Sequence, residues 1–280
     1  MPELPEVEVT RRSIDEPLRD ARVLGVRLGK PLRWPLGCKP ESLVGARIGP
    51  VTRRGKYLWL PLLRDRPADP NPSGGLLMHL GMSGALTLSD LPRPAGAHDH
   101  FDLETSRGLL RMTDPRRFGA VVWSAGLDLA PAASLLASLG PEPFDPLLTP
   151  ASFHAALHAR RSPIKAVLLS GEVVVGAGNI YACEALFRAG IDPRLRAHLI
   201  SRPRAARLLQ AIRATLAQAL ALGGSTLRDF HDAHGMNGEF QAAAAVYGRE
   251  GLACPACGMP VRRITQMQRS TFFCGRCQRR

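Results

Sequence analysis

The sequence predicts an α+β protein of several domains, and three observations carry that reading. A breaker-free acidic stretch opens the chain, short apolar segments punctuated by Gly, Pro and Asp fill residues 21 to about 123, and four cysteines cluster behind a helix-rich region. With 280 residues, 45% of them hydrophobic, the chain can bury more than one core and reads as two or three domains.

The opening helix follows from Pro5 in a first turn, Glu6 and Glu8 at its positive end, and the lack of a breaker before Pro17. Strands are expected at Lys56 to Leu63, Leu76 to Leu80, Phe101 to Glu104 and Ala120 to Trp123, which together make an antiparallel sandwich or barrel over residues 1–124. Pro131, Pro141, Pro143, Pro146 and Pro150 remove donors and disfavour helix, so residues 125–150 read as a linker. A helical domain is expected over 151–239. Thr149-Pro150, Ser162-Pro163 and Asn179 each place a capping side chain before a helical run, and Gly190 and Gly223-Gly224 stand where helices stop. The Ala/Leu-rich run from Arg204 to Leu222 carries an apolar stripe at Leu208, Ile212, Leu216 and Leu220. From 240 to 280 the composition shifts to Cys, Gly and Arg.

A formal net charge of +13 calls for a polyanionic partner, and nucleic acid fits it best. A membrane surface is the competitor, but no apolar run approaches the ~20 residues of a spanning helix and the first twenty residues lack a signal peptide's apolar centre. The expected setting is therefore the reducing cytoplasm, at the nucleoid, with the chain acting as a monomer. In that setting clustered cysteines are read as metal ligands before disulfides.

Cys254, Cys257, Cys274 and Cys277 form two Cys-x-x-Cys turns separated by sixteen residues. Each turn aims two sulfurs at one point, and four thiolates close a tetrahedral site with no open position for chemistry, so one structural Zn2+ is expected. Cys38 and Cys183 stand alone and read as small buried hydrophobes. Between Arg249 and Arg280, seven arginines face a single glutamate, a formal +6, which makes the module a clamp for phosphates.

Removal of Met1 would leave Pro2 with a free secondary amine. An α-amino group titrates near about 7.7–8.0, well below lysine's ~10.4, so much of it is nucleophilic at neutral pH. Attack on a sugar C1′ by such an amine gives an iminium directly. Glu3 beside it can shuttle protons, whereas Glu6 reads equally well as a carboxylate complementing the helix dipole and as a catalytic group.

Pro2-Glu-Leu-Pro-Glu-Val-Glu, Gly55-Lys-Tyr, His79-Leu-Gly-Met-Ser-Gly, Thr113-Asp-Pro-Arg-Arg-Phe-Gly, Gly178-Asn-Ile-Tyr-Ala, Val246-Tyr-Gly-Arg and the closing cysteines occur in that order. Together they resemble the bacterial formamidopyrimidine-DNA glycosylases, from Pro2 to about Cys277. The resemblance implies a β-sandwich behind the N-terminal helix, a helix-two-turn-helix domain and a C-terminal β-hairpin zinc finger, with double-stranded DNA containing oxidised bases as partner. It implies excision of 8-oxoguanine and formamidopyrimidines, followed by β,δ-elimination through a Schiff base on Pro2. Pro2 and Glu3 then form the catalytic pair, supported at the phosphates by Lys56 and Arg269, with His79 and Asn179 as further DNA contacts.

Flipping a base out of the stack leaves a hole. Met82, Arg116 and Phe118 match the family's wedge, in which a thioether and a ring replace lost stacking and an arginine bonds the orphaned base. Asn179, read as a cap after Gly176-Ala-Gly178, would offer free amide N–H groups to a phosphate.

The sequence departs from the family between Phe230 and Phe240, where Met236 stands in place of an expected lysine, so lesion preference is less fixed than the core chemistry. Arg160 and Arg161 replace lysines, which keeps phosphate attraction but not geometry. A non-catalytic DNA-binding protein on the same scaffold is disfavoured by the presence of both Pro2 and Glu3. A pyrimidine-directed relative is disfavoured by Leu4 and the intact Met82, Arg116 and Phe118 set.

Overall fold

A computed structural model of the chain describes residues 2–64, 73–90, 93–225, 233 and 238–280. The chain divides into two compact units, one of residues 1–137 with 223–238, the other of residues 138–222 with 239–280.

In the first unit, helix α1 (Leu4–Leu18) is followed by strands β1 (Val23–Leu28), β2 (Arg47–Ile48), β3 (Thr52–Arg54), β4 (Tyr57–Leu63), β5 (Gly74–His79), β6 (Ala85–Ser89), β7 (Asp99–Thr105), β8 (Gly108–Thr113) and β9 (Ala120–Ser124), then by the short helix α2 (Ala132–Leu136). One sheet has the order β1-β7-β8-β6 and the other β2-β4-β5-β9, with β3 paired to β4 and every pairing antiparallel. The sheets enclose one core, because alternate residues of each strand face inward. Phe101, Leu103, Leu110 and Met112 come from one sheet, Leu58, Leu60, Leu76 and Met78 from the other, and Val7, Ile14 and Leu18 from α1. This is the sandwich that the punctuated apolar segments require. The opposite face of β4 and β5 sends Trp59 and Leu77 onto Ala132 of α2, so part of the proline-rich stretch packs with the first unit.

Helix α1 runs one residue past Pro17, which lies in its last turn; Arg19 N–H closes the end on the carbonyls of Asp15 and Glu16.

The second unit holds α3 (Pro150–His158), α4 (Ile164–Ser170), α5 (Asn179–Ala189) and α6 (Arg202–Ala221), followed by the hairpin of β10 (Arg262–Gln266) and β11 (Arg269–Phe273). Phe153, Leu157, Leu168, Tyr181, Leu186, Leu208, Ile212, Leu216 and Phe240 form its core, so three of the four positions of the α6 stripe are fully buried. Thr149 and Ser152 close a capping box on α3, and Gly190 ends α5 in the left-handed region at φ 68°.

Two expected caps are corrected. The boundary residue of α5 is Gly178, in extended conformation, so Asn179 is already helical and its side-chain amide donates to the Tyr247 hydroxyl and the Ser270 carbonyl. At α4 the boundary residue is Pro163, which has no side-chain donor or acceptor, while the Ser162 carbonyl accepts from Ala197 N–H. Among the described residues no helix is long and apolar enough to cross a membrane.

Candidate DNA-repair site and zinc centre

Pro2 and Glu3 precede α1 and are buried. Glu6 fixes them: its Oε2 accepts from the Glu3 amide at 2.8 Å, and its Oε1 accepts from the Ser225 amide at 2.8 Å. Glu6 thus combines the capping role open to it with a long-range tie. Gly224, at φ 84°, permits that tie, since a Cβ there would stand 3.0 Å from Glu6 Oε1. Two residues on, Glu8 is gripped by Arg11, Arg12 and Arg53; burial pushes its carboxyl up, and the three guanidiniums overcome this to hold it below the usual range.

Lys56 lies in the β3–β4 turn, and β4 pairs Tyr57 with His79 of β5. The Tyr57 and His79 rings meet at 4.8 Å. His79 Nδ1 accepts from the Gly81 amide at 3.1 Å, which leaves the proton on Nε2. Burial, then the charges of Lys56 and Arg33, lower its pKa to about 4. His79 is therefore a neutral N–H donor at physiological pH, aligned by the backbone and set among cations.

Met82, Arg116 and Phe118, expected from the resemblance to form a wedge, occupy two turns on the same unit. Met82 is 40% exposed and Phe118 45%, so neither is core, and the Arg116 guanidinium lies 5.0 Å from the Phe118 ring centre. Fully buried Asp114 joins the two turns: Oδ1 accepts from Ser83 Oγ at 2.6 Å and Arg116 N–H at 3.2 Å, and Oδ2 from Gly119 N–H at 2.7 Å. The backbones approach closely at Gly81, φ 63°, where a Cβ would stand 2.5 Å from the Gly119 nitrogen. Neither Ser83 nor Asp114 was singled out by sequence reasoning; a buried acid inside the Thr-Asp-Pro-Arg-Arg turn was the available signal.

In the second unit, Asn179 and Lys165 converge on the hairpin. Lys165, fully buried, donates from Nζ to Thr271 Oγ1 at 2.6 Å and the Ser270 carbonyl at 3.2 Å, beside the bond from Asn179 to that same carbonyl. Glu184 of α5 accepts from the amides of Ala245, Val246 and Tyr247 at 2.8–2.9 Å. Both charged residues escaped the sequence reading. Each interrupts an apolar helix face, a pattern that marks a buried, paired charge.

Cys254, Cys257, Cys274 and Cys277 bring their sulfurs within 4.8 Å of one another, with 3.9 Å between Cys254 and Cys277 and 3.5 Å between Cys257 and Cys274. A tetrahedral zinc with Zn–S bonds of ~2.3 Å needs edges of about 3.8 Å. Although burial opposes it, the backbone amides of Cys277 and Arg276 hold the Cys274 thiol down to about 7. Burial and the neighbouring sulfurs push Cys277 up to about 12, a cost that a bound dication offsets. Arg269 is exposed at the start of β11, directly after the left-handed Met267-Gln268 turn.

Residues 1–121 match the formamidopyrimidine-DNA glycosylase N-terminal domain, residues 139–231 its H2TH domain, and residues 251–280 the zinc finger found in FPG and IleRS. The chain is 57% identical over 280 residues to a formamidopyrimidine-DNA glycosylase of Acidovorax sp. (strain JS42), with all of both chains covered. The chain belongs to the formamidopyrimidine-DNA glycosylase family.

Solved members of the family share this fold. The FPG protein of Thermus thermophilus superposes with a TM-score of 0.85 at 39% identity, covering 99% of this chain and 98% of that one. A Lactococcus lactis FPG mutant bound to DNA containing Fapy-dG superposes with a TM-score of 0.89 at 31% identity, covering all of both chains. As a member of the glycosylase family, the chain is a DNA glycosylase of base-excision repair and carries one structural zinc on its four cysteines. Most of the 230–240 stretch, including Met236, lies outside the described residues.

Asp114→Asn replaces one acceptor oxygen with an NH2 group facing a donor, so it is expected to destabilise the protein by about 1–3 kcal/mol, measured by urea unfolding. His79 is expected to titrate near 4 by NMR. Its folded pKa lies below the ordinary 6.5, so stability present above 6.5 is lost as pH falls from there towards 4, and His79→Gln flattens that loss. Chelation is expected to remove one equivalent of zinc and abolish DNA binding, followed by metal analysis and gel shift.

Proposed function

We propose that this glycosylase excises oxidised purines, 8-oxoguanine and formamidopyrimidines, from duplex DNA and then cleaves the abasic strand using Pro2 as nucleophile. The burial of Pro2-Glu3 at the start of α1, tied by Glu6 to Ser225, is the observation that carries the reading. A nucleophile held in one position loses little freedom on reacting.

After Met1 is removed, the Pro2 nitrogen bonds to C1′ while the glycosidic bond breaks and the base departs with the electron pair and takes up a proton. The sugar ring opens to an iminium. Loss of a C2′ proton expels the 3′ phosphate, a second elimination expels the 5′ phosphate, and water releases the proline. Glu3 is the carboxyl adjoining these proton transfers. Met82, Arg116 and Phe118 fill the space of the flipped nucleotide, and Lys56, His79, Asn179 and Arg269 contact phosphates. The solved Lactococcus lactis complexes with Fapy-dG and abasic-site DNA support this substrate class.

Borohydride is expected to trap a covalent adduct on 8-oxoguanine duplex at Pro2, and to trap none with Pro2→Gly. Undiminished trapping that maps to Lys56 would refute the assignment, and faster cutting of thymine glycol than of 8-oxoguanine would refute the purine preference.

A further inference from the structure

Helix α3 carries a histidine pair that none of the chemistry above uses. Phe153 and Leu157 bury the helix in the core. One position on, His154 and His158 form the next stripe, half-buried and exposed respectively. Residues four apart are neighbours on a helix, and these two rings stack at 21° with centroids 5.9 Å apart.

The second observation fixes a tautomer. His158 Nδ1 lies 3.0 Å from the backbone oxygen of His198. A carbonyl only accepts, so Nδ1 carries the hydrogen and Nε2 keeps its lone pair. Metal-bound histidines use this same second contact, which orients the ring and raises the basicity of the other nitrogen.

Two further features favour a cation here. His158 is the last residue of α3, at the negative end of the helix dipole. The adjoining Arg160 is already paired with Glu172 at 2.8 Å. With nitrogen–metal bonds of about 2.0–2.1 Å, two imidazoles side by side on one ion have centroids roughly 4.5–5.5 Å apart, so with His158 held by its carbonyl contact the His154 ring turns about its broad χ2 torsion to close the remaining gap.

We propose that His154 and His158 form a second metal site, a two-histidine clip for an imidazole-preferring divalent ion such as Ni2+, Cu2+ or Zn2+. The clip is built from different residues than the four-cysteine centre. Among the described residues no third His, Cys, Asp or Glu completes the set, so water fills the other positions and the ion exchanges readily. Binding adds two positive charges at the end of α3 and stabilises the folded protein by mass action.

The test is calorimetric titration of the zinc-loaded full-length protein with NiCl2, with zinc release followed by a chromogenic indicator and folding by circular dichroism. One Ni2+ is expected to bind with the zinc retained. His154→Ala and His158→Ala are each expected to weaken it by at least about tenfold, while His198→Ala, which keeps the carbonyl, binds as the unmodified protein does. Undiminished nickel binding in both of the first two variants, loss of binding in the third, or one zinc released per nickel bound would overturn the clip.

Discussion

The carboxylate of Glu6 is the interaction on which the candidate catalytic end depends. It is buried and holds the Glu3 amide with one oxygen and the Ser225 amide with the other. A buried carboxylate left without donors is costly, of the order of several kcal/mol, so the N-terminus and the 223–225 turn are each held by the need to satisfy this one group. Gly224 follows from the same demand: the turn must come close enough to donate, and a side chain there would crowd Glu6. Helix capping and the placement of Pro2, the proposed nucleophile, are thus one arrangement seen from two ends.

Buried acids play the same part elsewhere in the chain, which is notable in a protein with a net charge of +13. Asp114 gathers a hydroxyl and two backbone amides and thereby sets Met82 beside Arg116 and Phe118. Glu184 gathers three amides and sets the turn that carries Tyr247. An ionised carboxylate offers about four acceptor sites, so one such residue fixes several turns whose own side chains stay available to a ligand. Glu6, Asp114 and Glu184 thus take amides and a hydroxyl as donors, whereas Glu8 and Glu172 are held by arginines.

The contrast between His79 and the zinc centre shows electrostatics working in opposite directions. Burial beside Lys56 and Arg33 keeps His79 neutral, so it presents a directed N–H and not a charge. At the cysteines, burial and the neighbouring sulfurs push Cys277 up, a cost that a bound dication offsets, so the ion becomes part of the folded hairpin's stability. Lys165 and Asn179 then meet the hairpin at Ser270 and Thr271, which ties α4 and α5 to the strand carrying Arg269.

Spacing and composition by themselves determined the order of elements, the zinc ligands and the candidate pair Pro2 and Glu3, because strand alternation, Cys-x-x-Cys turns and short motifs are local properties of a chain, while Met82, Arg116 and Phe118 came from the resemblance to the family. The caps at Asn179 and Ser162 were misread for the same reason: a polar side chain before a helical run looks like a cap until a distant partner claims it, as Tyr247 and Ser270 claim Asn179. Lys165, Glu184, Ser83 and Asp114 were illegible as participants, since their partners lie tens of residues away and only folding brings them together. The protonation of His79 was likewise decided by tertiary structure: its neutrality comes from desolvation and from charges on other segments, neither of which exists in the unfolded chain.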